Sequence, residues 1–460
     1  MLTNVIIFGT GLFYSRRKDM LPEETNIVAF IDNNIEIQGT YRENILIYNP
    51  SEVSKLNYDV IILASITTVE MRNQLLSLGV PKDKIMFWQQ YVSSKTHGII
   101  KKYEVDKEQN GKKLLLIVPF INYTGSFLVA LNAALALKSK GYYVLITSPM
   151  ADDQTILEVN RYGINVCLCP SLPYIEETEM KWIQEFDFVL LNTFQSMVCI
   201  NRLGLRKPVL WWLHECNKSY KDILEQYEDQ GDFSSSKNVT ILAVSKIAKD
   251  NFLKYFQNLE TSMLTFGIPD FYRGVKLPHK KIIFVIIGGI SLLKNQKELI
   301  NALKRISLYE KNKMELWLIG SDDRNKYREE IDDLISDNQE IKILGELSRK
   351  EIEKIFQQVD VVVCSSLEET MSITIVEGMM NHKICITNTN TGIAEFIQDN
   401  ENGFIYEAGN VDDLTAKLKY VIQNFNSLDI MRKNARQTYE KYFTMEIFGD
   451  RLQEIIENKI

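Results

Sequence analysis

Short apolar runs alternate along nearly the whole chain with stretches in which apolar residues recur every third or fourth position. The runs include NVIIF, NIVAFID, YDVIILAS, LLLIVPF, YYVLITS, FDFVLLNT, KPVLWWLHE, NVTILAVS, KIIFVIIGG, MELWLIGS, IKILGEL, VDVVVCSS and KICITN. Runs this apolar, without strict polar alternation, suit parallel strands covered on both faces. The helix-period stretches include SFLVALNAALALKSKG, where Phe127, Leu128, Leu131, Leu135 and Leu137 give an apolar face and Gly141 is placed as a C-terminal cap. QKELINALKRI, RKEIEKIFQQ and TIVEGMM read as further helices, and two more run from about Asp429 to Ile460. Strand and helix alternating in this way predict an α/β chain of layered parallel sheets.

The alternation falls into three blocks. Residues 1–98 predict a small Rossmann-like domain, and the polar stretch over 99–112 predicts a linker. A new series of strands occupies 113–278, and another occupies 279–440, followed by a terminal helix over 441–460 expected to cross back to the middle block. Two successive nucleotide-fold halves leave a cleft between them, and open α/β sheets bind ligands at the carboxyl ends of their strands. No short repeat or low-complexity tract is visible.

Composition narrows the picture. The chain has 460 residues, 45% hydrophobic and 25% charged, with a formal net charge of −7. That balance argues against a nucleic-acid partner, which usually meets a basic surface. A local basic patch touching a membrane stays compatible with it. The six cysteines, Cys167, Cys169, Cys199, Cys216, Cys364 and Cys385, sit mostly in apolar runs and read as buried thiols in a reducing compartment. The N-terminal MLTNVIIFGTGLFYSRRKD lacks a basic n-region and a long apolar core, so it does not read as a signal peptide. The expectation is a cytoplasmic protein, with any membrane contact peripheral, at the inner face. A homo-oligomer stays open.

The densest chemistry lies in SSLEETMSITIVEGMM. Glu369 follows a buried strand, and Glu377 lies eight residues later on the next helix. Such carboxylates can accept hydrogen bonds from sugar and ribose hydroxyls. Thr370, Met371, Ser372 and Ile373 would offer backbone N–H groups at a helix N-terminus, a ready site for a diphosphate. As plain structure, the same residues are a solvated Glu pair in a first helical turn.

Glu369 and Glu377, after Ser365–Ser366 and before Gly378–Met379–Met380, resemble the E-x7-E element of family 4 glycosyltransferases, which have the GT-B fold. The similarity runs from about Lys113 to Ile460. It implies that Glu369 lies by the donor sugar and Glu377 binds the nucleotide ribose. In IIGGISLLKNQKELINAL the Gly288–Gly289 pair ends a strand and Lys294 precedes a helix; the family resemblance implies that Lys294 contacts the donor diphosphate. The family usually has an Arg where this chain has Gly289, so one of two expected cations is missing. In PFINYTGSFLVALNAAL, Gly125 and Ser126 stand where the family has a Gly-rich loop between donor phosphate and acceptor. His214, at the end of KPVLWWLHE, matches a family histidine near the donor sugar, with Glu215 expected to orient it; a core histidine is the plain alternative. Gly392, in NTNTGIAEFIQ, matches a loop beside the bound donor.

No D-x-D triplet of the kind that holds a divalent ion on a diphosphate occurs. The resemblance implies a metal-independent, retaining hexosyltransferase of surface polysaccharide or glycoconjugate synthesis, with no cofactor. Its partners would be a nucleotide sugar of the UDP or GDP type and a glycan, glycolipid or protein acceptor. A non-catalytic glycosyltransferase-like subunit and a nucleotide-sugar epimerase of the same architecture are the alternatives.

The N-terminal block carries VIIFGTGLFYS, with Gly9 and Gly11, and Asp32 at the end of the next strand. That spacing resembles a dinucleotide fingerprint, although Tyr14 replaces the third glycine. The block resembles small Rossmann-like domains fused to bacterial sugar-modifying enzymes. Nucleotide binding and a structural or oligomerising role both stay open.

Overall fold

Hydrophobic strands with both faces covered build three sheets in the computed structural model, which describes residues 2–65, 68–106, 111–200, 207–226, 238–275, 277–321 and 326–459. The first sheet holds β1 (Thr3–Phe8), β2 (Thr25–Ile31), β3 (Tyr41–Arg42), β4 (Ile45–Tyr48), β5 (Val60–Leu63) and β6 (Ile85–Phe87), ordered β3-β4-β2-β1-β5-β6. Its helices are α1 (Leu12–Arg17), α2 (Thr68–Ser77) and α3 (Trp88–Lys95). Alternate residues of β1 feed opposite cores: Ile6 and Phe8 pack with Met71 and Leu75, whereas Val5 and Ile7 pack with Trp88 and Tyr91. The antiparallel β3–β4 hairpin was not expected from the pattern. It turns at Glu43 and Asn44, both with positive φ (51° and 65°), the geometry of a tight two-residue turn.

The second sheet holds β7 (Lys101–Tyr103), β8 (Lys113–Ile117), β9 (Tyr143–Ser148), β10 (Asn165–Leu168), β11 (Phe188–Asn192), β12 (Val209–Leu213), β13 (Val239–Ala243) and β14 (Thr261–Met263), ordered β14-β13-β12-β11-β8-β9-β10-β7. Its helices are α4 (Gly125–Ser139), α5 (Asp153–Arg161), α6 (Asn217–Gln226) and α7 (Lys246–Leu253). The expected linker over 99–112 is corrected in part: β7 adds to this sheet as an antiparallel edge strand on β10. Its KKY sequence is polar because an edge strand faces water on one side. Residues 107–110 of that linker lie outside the described residues.

The third sheet holds β15 (Ile282–Ile287), β16 (Met314–Ile319), β17 (Ile341–Gly345), β18 (Val361–Cys364), β19 (Ile384–Asn388) and β20 (Phe404–Tyr406), ordered β17-β16-β15-β18-β19-β20. Eight helices follow or flank these strands: α8 (Gln296–Lys304), α9 (Leu308–Lys311), α10 (Lys326–Ile335), α11 (Arg349–Ile355), α12 (Ile373–Met380), α13 (Val411–Asn424), α14 (Asp429–Tyr442) and α15 (Met445–Lys459), among the described residues. Strand order reverses between β8 and β11 in the second sheet and between β15 and β18 in the third. Those reversals open crevices at the carboxyl ends of the strands, where ligands of such sheets bind.

The C-terminal helix α15 lies against α4 of the second unit. Lys140 pairs with Asp450 at 2.5 Å, and Phe448 stacks on Trp212 with ring centroids 5.6 Å apart. The first unit docks on the second through α3: Gln89 Nε2 and Ser93 Oγ both donate to the Pro170 carbonyl, at 2.8 and 3.0 Å, and His97 Nδ1 lies 2.9 Å from Glu179. Among the described residues no helix is long and apolar enough to cross a membrane.

Candidate functional site between the second and third sheets

Both strand-order reversals deliver a helix N-terminus to the same gap. After β8 the chain turns into α4 at Gly125, and after β18 it turns into α12 at Ile373. A Cβ built on Gly125 would lie 3.4 Å from Ile373 Cδ1, so the two turns meet. Thr124, the N-cap of α4, makes no side-chain cap bond, which leaves the first amides of that helix without a side-chain acceptor. Two helix N-termini converging on one gap give it a positive potential. Ser126 is fixed from behind, because its carbonyl accepts from Asn192 Nδ2 at 3.2 Å.

Lys294 and Glu369 form an ion pair, with Glu369 on the turn that leads into α12. They are 75 residues apart in sequence. Gly288, at the end of β15, leaves room for the lysine stem, since a Cβ there would lie 3.2 Å from Lys294 Cε. The ordered loop is held by Ser365 Oγ, which donates to the carbonyls of Lys294 and Asn295 at 3.1 Å each. Burial weighs against the Lys294 charge, but the Glu369 carboxylate more than offsets it and holds the ammonium pKa above its ordinary value. Lys294 is therefore a cation throughout the physiological range. At Gly289 a side chain would start 3.0 Å from Ser321 Oγ, a tight contact with one rotatable hydroxyl.

His214 ends β12 on the opposite wall. Its carbonyl accepts from Thr370 Oγ1 at 2.7 Å, which ties the two halves together at the first residue after Glu369. Its ring packs on Trp212 at 4.6 Å, and its Nε2 is buried without a hydrogen-bond partner. Burial pushes the imidazole pKa down to about 3, so the ring is neutral and offers one donor and one acceptor. An orphaned buried polar atom at a cleft asks for a ligand group. Glu215 does not orient this ring as expected. Its carboxylate instead accepts the backbone N–H groups of Phe194 at 2.5 Å and His214 at 2.9 Å.

Burial raises the Glu215 pKa to about 7, against the opposing pull of those amides. The group is neutral in both states below about pH 4.5. Between there and pH 7 only the unfolded chain ionises, so stability falls as pH rises and levels off above pH 7. We expect Glu215→Gln to flatten that slope, raising stability at pH 8 relative to pH 5 by up to ~3 kcal/mol. Denaturant melts of both proteins at the two pH values check this; parallel pH profiles would contradict it.

Glu377 has a different partner from Glu369. It is buried on α12, and its carboxylate pairs with Arg349 at the start of α11. Burial raises its pKa and the guanidinium opposes the rise. Gly392 packs at the junction of the two halves: a Cβ there would lie 1.9 Å from the Thr370 carbonyl oxygen and 2.6 Å from Ser245 Oγ. Met371 is buried, and Ser372 caps α12 by accepting from the Ile375 N–H at 3.4 Å.

Several bridging groups escaped the sequence reading. Glu368 Oε1 accepts from the Asn217 N–H at 2.7 Å and from Asn251 Nδ2 at 2.5 Å, and Glu395 accepts from the Lys246 N–H at 2.9 Å. Each carboxylate of the third unit thus meets a helix N-terminus of the second, a favourable dipole contact. Thr193, at the end of β11, holds φ at 72°, a strained value for a β-branched residue.

The N-terminal Gly-x-Gly loop is closed on itself. Asp32 accepts from the Thr10 N–H at 2.8 Å, from Thr10 Oγ1 at 2.7 Å and from the Asn34 N–H at 2.9 Å. Gly9 has φ 101° and a Cβ there would lie 2.7 Å from the Ala64 carbonyl, so packing on β5 already requires glycine. Nothing lies within 4 Å of a Cβ at Gly11. Among the described residues no cluster of three or more His, Cys, Asp or Glu is placed to hold a metal ion.

Comparisons with known proteins fit this geometry. Residues 269–438 match the model described as "Glycosyl transferases group 1", residues 110–242 match "Glycosyl-transferase family 4", and residues 1–86 match "C2185-like, N-terminal". An uncharacterised glycosyltransferase of Methanocaldococcus jannaschii is 26% identical over 170 residues, 37% of this chain and 43% of that protein. The sulfoquinovosyl transferase SQD2 of Arabidopsis thaliana is 27% identical over 119 residues, 25% of this chain and 23% of that protein. The matched stretches therefore span less than half of either relative. The Anabaena protein HepE, solved in complex with UDP-glucose, superposes with a TM-score of 0.64 at 17% identity, over 76% of this chain and 100% of that one. The fold is GT-B, with two Rossmann-like halves facing a cleft.

Proposed function

From a chain that carries family 4 and group 1 glycosyltransferase domains, we propose a retaining, metal-independent transfer of a hexosyl group from a nucleoside-diphosphate sugar to a glycan, glycolipid or protein acceptor. The observations that carry this reading are the Lys294–Glu369 ion pair, with Glu369 on the turn that leads into α12, and the contact of that helix's first residue with the start of α4 at Gly125. Negative charge builds on the diphosphate as the glycosidic bond breaks. A fixed ammonium and two sets of oriented amides take up that charge without reorganising. Glu369 and the neutral His214 ring hold hydroxyls of the donor sugar. The acceptor hydroxyl attacks the anomeric carbon on the face the diphosphate leaves, and its proton passes to the departing phosphate oxygen. No protein nucleophile is required, and positioning supplies much of the rate. HepE, whose structure is described in complex with UDP-glucose, supports a uridine nucleotide as the first donor to try. The reaction would take place at a cytoplasmic membrane face in surface-polysaccharide synthesis.

Glu377 binds the donor ribose in this reading, with Arg349 beside it. Glu377→Gln is then expected to weaken nucleotide-diphosphate binding about tenfold, the scale of one hydrogen bond to a charged group. Titration calorimetry with UDP measures it; an unchanged affinity would assign Glu377 to the Arg349 pair alone. Incubation with a panel of nucleotide sugars and acceptors under a chelator, read by the anomeric NMR signals of donor and product, tests the whole proposal. Retained configuration in the chelated reaction supports it. Inverted product, transfer only with added metal, epimerised donor without acceptor, or binding without turnover would each overturn it.

A further inference from the structure

The first and second units line an open cavity of about 500 Å³. That volume suits a sugar-sized ligand. The carboxyl edges of both sheets supply its walls: Phe13, Arg17 and Trp88 from the first unit, and Phe120, Thr124 and Ser126 from the second. One end therefore reaches the α4 turn, where Gly125 meets Ile373 of the donor side. The other end holds an aromatic-flanked cation. The Arg17 guanidinium lies 4.0 Å from the Phe13 ring centre and 5.3 Å from that of Phe120, so it bridges the two units.

Three buried polar atoms on this wall have no hydrogen-bond partner: Arg17 Nε, Trp88 Nε1 and Gln89 Oε1. Two are donors and one is an acceptor, left unsatisfied within the wall. Burial and the neighbouring Arg16 both weigh against the Arg17 charge, a cost that an anion would offset. Asp222, from α6, is the only carboxylate among the described lining residues and suits a sugar hydroxyl.

We propose that the N-terminal unit completes the acceptor site, and that the cavity it helps to line takes a sugar acceptor bearing an anionic group, a phosphate or a carboxylate, held at Arg17. The acceptor hydroxyl faces Ser126 and the donor gap, and the anionic end lies between Phe13, Phe120 and Trp88. This inference rests on the transferase reading above and adds a role for the fused unit.

The test uses the full chain with the donor site saturated by UDP, so that no phosphate probe reports on Lys294. Glucose 1-phosphate, glucuronate, phenyl glucoside and inorganic phosphate are titrated by calorimetry into wild type, Arg17→Gln and Arg17→Lys. We expect glucose 1-phosphate and glucuronate to bind wild type at least tenfold more tightly than phenyl glucoside does. Arg17→Gln should remove that advantage, Arg17→Lys should restore part of it, and UDP affinity should be the same in all three. The better of the two anionic sugars identifies the group that Arg17 reads. Equal affinity of the anionic sugars for wild type and Arg17→Gln would overturn the proposal. So would inorganic phosphate binding as well as the sugar phosphate, an adventitious anion only. Failure of both UDP and GDP to bind wild type would instead sink the transferase reading itself. Thermal melts of the variants separate a binding defect from loss of docking between the units, and wild-type melting with lost anion selectivity is the expected pair of results.

Discussion

Lys294→Ala lowers sugar transfer by about 10²-fold or more, equivalent to ~3 kcal/mol of transition-state stabilisation. The lysine is paired to Glu369, on the turn that leads into α12 where that helix meets the start of α4. Its partner Glu369 keeps it charged, and the glycine at 288 leaves its stem room to lie along the strand end. Gly289 provides no second cation beside it, so little else can take over the charge of the leaving diphosphate. The loss should appear in kcat as well as kcat/KM, because the interaction strengthens as negative charge develops. Steady-state kinetics at saturating donor, with a thermal melt to show that the variant is folded, measure it. Turnover within threefold of wild type would remove Lys294 from the mechanism.

Gly392→Ala is expected to destabilise the protein by ~1–3 kcal/mol through overpacking, and to cut donor turnover at least tenfold. The added methyl would sit 1.9 Å from the Thr370 carbonyl oxygen and 2.6 Å from Ser245 Oγ. Neither atom is free to retreat. Thr370 is tied to the His214 carbonyl, the Gly392 N–H is bonded to the Glu369 carbonyl at 2.8 Å, and Ser245 caps α7 by accepting from the Ala248 N–H at 3.2 Å. The methyl must therefore displace the Thr370 peptide within the third unit and press on Ser245 of the second, beside the Thr370–His214 link. A lowered melting temperature together with a raised KM for the donor is the expected signature. A variant as stable and as active as wild type would mean that the contact around Gly392 is looser than described.

The apolar pattern made the architecture legible because parallel strands covered on both faces leave an unambiguous signal. Every run from LLLIVPF to KICITN contains a strand of the second or third sheet. The pattern missed short buried strands such as β10 and β20, and it was silent where burial was not the cause of structure. β7 is polar and pairs through its backbone at a sheet edge, so its KKY read as linker. The β3–β4 hairpin depends on two left-handed residues, Glu43 and Asn44, neither of which is a glycine.

The site was legible in the same uneven way. Motif residues that stand at the ends of predicted strands meet in pairs: Lys294 with Glu369, Thr370 with the His214 carbonyl and with Gly392, and Gly125 with Ile373. Contacts between residues far apart in sequence were not readable. Nothing in the local pattern joins Arg349 to Glu377, or Glu368 to Asn251 across 117 residues. The Glu215 carboxylate beside His214 invited a side-chain role, yet the tight turn after β12 directs it to backbone amides. Asp32 matched the position of a ribose ligand, and it closes its own loop through Thr10. The composite wall around Arg17 joins two separately folding patterns, so only their docking brings it into being.

The most direct test of the central claim compares nucleoside diphosphates with their nucleosides, UDP against uridine and GDP against guanosine, in calorimetric titrations of wild type and Lys294→Ala. Wild type should favour one diphosphate over its nucleoside by at least about a hundredfold, and the substitution should erase most of that preference while leaving nucleoside binding alone. Equal preference in the two proteins, or no affinity for either diphosphate, would contradict a pyrophosphate cradle built from this ammonium and the paired helix ends.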